Sequence, residues 1–121
     1  MVESKVMAKL MNTTNNKTLI ADLEVASTFL SRGKGLLGRE SLPAEKALWI
    51  HHCNSIHTFF MKFSIDCVFV DKNLKVRAIR RDVRPWRLVL PVWGAASVIE
   101  MASGTVSNGN VSVGDQLYVG A

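Results

Sequence analysis

The chain has 121 residues, carries 15 Lys and Arg against 10 Asp and Glu, and is 48% hydrophobic. The excess charge is local: Lys75 to Arg87 holds six basic residues and one acid, and the other 108 residues balance nine against nine. That excludes a generally polycationic chain and, with the apolar content, disorder.

One domain over residues 1–121 is the expectation at this length. A chain of this size buries about two thirds of its unfolded surface, so it needs no disulfide. Cys53 and Cys67 lie in apolar segments and read as buried thiols. The opening MVESKVMAKLM lacks the continuous apolar core of a signal peptide. No run reaches the roughly 18 apolar residues of a membrane span, and Leu88 to Ile99 is broken by Pro91 and Gly94. A cytoplasmic monomer with no membrane span is therefore expected.

In chain order, Met7 to Met11 and the alternating Leu19, Ala21, Leu23 and Val25 predict two strands of a hairpin. The polar run Asn12 to Lys17 supplies the turn. Ser27 is a good helix N-cap, and Phe29, Leu30, Gly33, Leu36 and Leu37 share one helical face. Gly33 and Gly35 weaken that helix and predict close packing against a sheet; Gly38 and Pro43 end it.

Strands are predicted at Ala47 to His51, His57 to Met61 and Cys67 to Val70, the last a central buried one. Asp71 to Asn73 turns the chain into Leu74 to Arg80, where Leu74, Val76 and Ala78 face inward and a bulge falls at Ile79. Val83 to Gly94 reads as an irregular loop, and Ser97 to Met101 and Gln116 to Val119 complete the set. The fold class is α+β, predominantly β: a mixed, barrel-like sheet of about seven or eight short strands with one short helix in the N-terminal half.

Polar residues concentrate in His51-His52-Cys53-Asn54-Ser55-Ile56-His57-Thr58. Imidazole and thiolate suit a transition metal, but neighbouring His51 and His52 point to opposite faces of a strand and no second pair has zinc spacing. No metal or cofactor is called for. In the following stretch an extended chain would place His57, Phe59 and Met61 on one face and Thr58, Phe60 and Lys62 on the other. Asp66, at the edge of a buried strand, needs a partner: His57, Arg32, Arg39 or a backbone N–H. With His57 it would form an acid–base pair.

The run Arg32 to Arg39 is glycine-rich but lacks both the Walker ending and the dinucleotide-binding turn. The basic segment Lys75, Arg77, Arg80, Arg81, Arg84 and Arg87 includes Trp86, so phosphate contact plus stacking is one reading. A strand edge protected by charge is the other.

The order of motifs resembles the DUF192 (UPF0127) family. The resemblance rests on Arg32-Gly33-Lys34-Gly35-Leu36-Leu37-Gly38-Arg39, Ala47-Leu48-Trp49-Ile50, His57-Thr58, Phe60-Met61-Lys62 and Ile65-Asp66. It continues through Phe69-Val70-Asp71, Pro85-Trp86-Arg87, Val98-Ile99-Glu100-Met101, Ala102-Ser103-Gly104-Thr105 and Val113-Gly114-Asp115. Leu37 and Phe60 stand where that family commonly has Met and Trp. The resemblance implies a small, mostly β bacterial or archaeal domain with a short helix, and carries over no catalytic residue.

Three functional expectations follow. The first is a binding or accessory module for a small ligand or peptide, with a pocket of Arg32, His57, Thr58, Met61, Asp66, Trp86 and Glu100. The second is a hydrolase-like enzyme using His57 and Asp66. The third is a nucleic-acid or acidic-partner binder acting through residues 75–87.

Overall fold

Strands β1 (Ala8–Asn12) and β2 (Lys17–Ala26) form the expected N-terminal hairpin. Its turn passes through Asn16 at φ 59°, a left-handed conformation that Asn tolerates. The side-chain oxygens of Asn12 and Asn15 each accept from the N–H two residues on, the turn chemistry of Asn. The computed structural model describes residues 8–106 and 109–121, the side chains of 29–31 excepted. Met7 and the side chains of Phe29 and Leu30 thus lie outside the described part.

Helix α1 (Phe29–Lys34) links β2 to strand β3 (Lys46–His51), and β2 and β3 pair in parallel. Parallel neighbours need a crossover, which α1 and the chain to Pro43 provide. The cap is Thr28 rather than Ser27, because the Thr28 carbonyl accepts the first helical N–H, that of Arg32, at 2.9 Å. The helix stops at Lys34, earlier than expected, since Gly35 takes φ 49°. Close packing does not explain Gly33: a Cβ there would meet nothing within 4 Å.

The remaining strands are β4 (Ile56–His57), β5 (Ile65–Val70), β6 (Val76–Val83), β7 (Leu88–Val89), β8 (Ser97–Ala102) and β9 (Leu117–Gly120). Seven form one sheet in the order β6-β5-β8-β3-β2-β1-β9, and β4 and β7 pair separately. The two ends of the large sheet meet at one point. Val76 donates to the Asp115 carbonyl and accepts from the Gly114 N–H, both at 2.9 Å, and Lys75 bridges Gln116. The sheet is therefore curled into a half-barrel, and the fold is mostly β with one short helix among the described residues, as the sequence implies.

Alternation along β3, β5 and β8 sorts the core into two clusters. Ala47, Val68, Val70, Ile99 and Met101 join Leu10, Ile20, Leu23 and Leu117 on one face. Leu48, Ile50, Cys67, Phe69 and Val98 face the other way, where Leu36, Leu42, Ile56, Met61 and Val89 cover them. All six residues of β5 are buried, so its unbroken apolar run is explained by cover on both faces. It lies second from the sheet's edge rather than at its centre.

Two local expectations are corrected. His57 to Met61 is not a strand: β4 ends at His57, the Met61 N–H turns back to the Thr58 carbonyl at 3.2 Å, and Phe60 takes φ 67°. The break in β6 is not at Ile79, which pairs in register with Val68. Register slips instead between the Val76 and Ala78 pairings and between those of Arg80 and Val83. The first slip sends Val76 and Ala78 to opposite clusters.

Candidate functional site

A cavity of about 150 Å³ lies on the helix-bearing face of the sheet. Arg32, Gly33, Lys34 and Gly35 of α1 and its end form one side, followed by Leu36 and Leu37. Ile50 of β3 and Glu100 of β8 come from the sheet. Cys53, Ser55, Ile56, His57 and Met61 close it from the segment around β4. The crossover geometry creates this space. The parallel β2–β3 link lays α1 over the sheet, and the glycine stop at Gly35 turns the chain before the helix can extend further.

Glu100 is the unusual member. It is only 4% exposed, flanked across the ladder by Leu48 and Cys67, and accepts no hydrogen bond from any described residue. Burial pushes its carboxyl up to about 7, and the Arg39 guanidinium acts in the opposite direction. Arg39 itself is held by Glu24 at 2.8 Å. Beside Glu100, burial raises the Cys53 thiol, while a hydrogen bond from the Ser55 backbone acts the other way; the thiol itself lies 2.9 Å from the Ser55 carbonyl, to which it donates. Burial and then the Glu100 charge hold Cys67 well above the ordinary thiol value. Neither cysteine has the depressed thiol of a nucleophile.

Of the seven residues expected in one pocket, the structure gathers Arg32, His57, Met61 and Glu100. Asp66 is not with them. It precedes Cys67 on β5 and so faces the other side of the sheet. There its carboxylate accepts from the N–H groups of Asp82 (2.8 Å), Gly104 (3.0 Å) and Val106 (3.0 Å). The His57–Asp66 acid–base pair does not form, because a single step of strand alternation separates the two faces. The backbone N–H, one of the partners considered for Asp66, is the one used.

Thr58 and Trp86 also stand apart. Thr58 is buried, and its hydroxyl accepts from the Arg87 N–H (2.9 Å) and donates to the Arg84 carbonyl. Its backbone exchanges bonds with Arg87 and Trp86 at 2.8 and 3.0 Å. Thr58 thus clamps the Pro85-Trp86-Arg87 turn, which joins two motifs separate in sequence. Trp86, at φ 66°, lies exposed with its ring 4.6 Å from that of Phe60.

The histidine tract is divided. His51 packs its ring 4.2 Å from Trp49, whereas Cys53 faces the cavity. Among the described residues no three His, Cys, Asp or Glu side chains could hold a metal together. Lys75, Arg77, Arg80, Arg81, Arg84 and Arg87 are all exposed, and none forms an ion pair among the described residues. Reading the sequence missed Cys53 and Lys34 as cavity residues, since both lie where a helix end and a loop, not a periodic element, set direction.

Fold and cavity together define a β half-barrel with one βαβ crossover and a small pocket beneath its helix. The chain belongs to the DUF192 family, described as Uncharacterized ACR, COG1430, whose model matches residues 10–119. A UPF0127 protein of Thermococcus sibiricus is 34% identical over 116 residues, covering 89% of this chain and 72% of that protein. One from Pyrococcus horikoshii is 29% identical over 115 residues, covering 89% and 96%. A solved structure of a protein of unknown function from Novosphingobium aromaticivorans aligns at TM-score 0.77 and 21% identity, over 94% of this chain and 84% of that one. A second solved structure, described as a putative transcription regulator from Sinorhizobium meliloti, aligns at TM-score 0.76 and 21% identity over 98% of both chains. No helix among the described residues is long and apolar enough to cross a membrane.

Proposed function

We propose that this chain is a binding module whose cavity beneath α1 takes a small organic molecule or the end of a peptide. The observation that carries the reading is Glu100, a carboxyl only 4% exposed that lines the cavity. Burial makes the ionised form of such a group costly unless something supplies a partner. With its carboxyl near 7, Glu100 can offer either a carboxylate to a cationic nitrogen or an O–H to an acceptor. Arg32 and Lys34 on the opposite wall suit an anionic group, and Leu36, Ile50 and Met61 suit a short apolar body. A compact zwitterion with an apolar side chain combines all three.

The test is a thermal-shift and calorimetric screen of α-amino acids and short peptides against the purified chain and Glu100→Gln. Compounds that stabilise the wild-type chain and bind at least about tenfold more weakly to Glu100→Gln support the reading. If none shifts the wild-type chain, or if the variant binds equally well, the cavity reading is overturned.

A further inference from the structure

The segment Leu88 to Gly94 presents an apolar surface that the cavity does not involve. Leu88, Leu90 and Trp93 are 64%, 71% and 92% exposed, while Val89 and Val92 between them are buried and anchor the segment. The chain thus fixes its own backbone while projecting large apolar side chains into solvent. Single exposed apolar residues are ordinary, but three from one six-residue stretch form a patch that requires an occupant.

The charge beside it is one-sided. Two troughs, of about 640 and 840 Å³, run between this segment and β6, and they share Ile79, Arg80, Arg81 and Pro91. Arg87 lines one and Arg77 the other; no acid lines either. Arg77 also lies against the end of the segment. Its guanidinium lies where a Cβ on Gly94 would sit, 2.6 Å away, so Gly94 has both its positive φ and its missing side chain in use.

We infer that this face is a peripheral docking surface for an anionic lipid bilayer. Leu88, Leu90 and Trp93 would enter the boundary between headgroups and acyl chains, and the arginines in the flanking troughs would hold lipid phosphates. Other occupants leave part of the surface unexplained. A nucleic acid uses the arginines and Trp93 but leaves two leucines in water, since bases stack on rings and not on leucine. A second copy docked across a two-fold axis would set arginines against arginines.

The experiment is co-sedimentation of the full chain with vesicles of phosphatidylglycerol and phosphatidylcholine, against phosphatidylcholine alone. Binding to the anionic vesicles that weakens with salt, with tryptophan fluorescence quenched by brominated acyl chains, is expected. Arg80→Gln with Arg81→Gln should weaken partition about thirtyfold. Leu88→Ser, Leu90→Ser and Trp93→Ser together should abolish the quenching, and circular dichroism should stay native because all three side chains are exposed. The inference is overturned if the wild-type chain ignores anionic vesicles, if the apolar variant binds them undiminished, or if a single-stranded oligonucleotide is bound in their place. Failure here leaves the cavity reading untouched, since the two surfaces share no residue.

Discussion

Asp66 and Glu100 are buried acids on adjacent strands, one register step apart, and they face opposite sides of the sheet. Asp66 pairs with Met101, and Glu100 pairs with Cys67. That one-residue offset decides their chemistry. Asp66 meets three backbone N–H groups where the 82 and 104–106 segments turn over the sheet. Glu100 meets the cavity. The first is a structural anchor, and the second is the group that the proposed binding reading assigns to a ligand.

Ionising Glu100 should therefore destabilise the fold. Its folded carboxyl stands at about 7 against 4.5 for the free group. Between those values the native state holds more protons than the unfolded chain, so stability falls as pH rises from 4.5 and levels off above 7. The full shift corresponds to up to about 3 kcal/mol. Glu100→Gln should flatten this pH dependence and be more stable than the wild-type chain at about pH 8. Urea unfolding across the range checks it; an unchanged slope would contradict the assignment.

Asp66→Ala strips the acceptor from three N–H groups at once. The orphaned Val106 N–H is buried and costs about 1–3 kcal/mol, and the part-buried Asp82 and Gly104 donors add less each, so a loss of about 2–4 kcal/mol is expected. Asp66→Asn keeps one acceptor oxygen but turns an NH₂ toward donors, and should fall between Ala and wild type. His57→Ala, at an exposed position, should leave stability almost unchanged. Equal losses in Asp66→Ala and His57→Ala would restore the pairing that the geometry denies.

The sheet was legible in the sequence because period-two alternation and turn residues are local signals. Leu19 to Val25 and the run around Cys67 to Val70 both became strands, but only the second for the reason its pattern gave: in β2 Ile20, Asp22 and Leu23 are buried while Ala21 and Val25 are exposed, so the alternation located the strand and not its inward face. The site was only half legible. Arg32, His57, Met61 and Glu100 converge, but which face a residue takes depends on register, and one residue of register separates Asp66 from Cys67. Bulges hide further: the slip between Val76 and Ala78 reverses the faces of β6 with no mark in composition. The failed strand after His57 had a similar cause. Phe60 carries a positive φ that its residue type disfavours, and the turn is imposed by tertiary bonds at Thr58.

Thr58→Val tests that clamp. Valine keeps the shape but removes a hydroxyl that bonds both Arg84 and Arg87. Leaving the Arg87 N–H without that acceptor should cost about 1–3 kcal/mol. Thr58→Ser keeps the bonds and loses one methyl, about 1 kcal/mol. The Trp86 environment gives a second readout, because the turn that presents its ring against Phe60 is the one Thr58 holds. Fluorescence should change in Thr58→Val and stay near wild type in Thr58→Ser.

Gly33 in α1 and Gly35 just past its end should respond in opposite directions. Gly33 lies inside the helix, and an added Cβ there meets nothing within 4 Å. Gly33→Ala removes backbone freedom from the unfolded chain at no steric cost, and should stabilise by about 0.5–1 kcal/mol. Gly35 has equally little crowding, its nearest neighbours lying at 3.9 Å, but it sits at φ 49°. Gly35→Ala forces an L side chain into the left-handed region and should destabilise by about 1 kcal/mol. Paired thermal denaturation of the two variants separates the causes. Loss of stability in Gly33→Ala would mean that the helix approaches the sheet more closely than these contacts allow, the reason for the glycines that the sequence alone suggested.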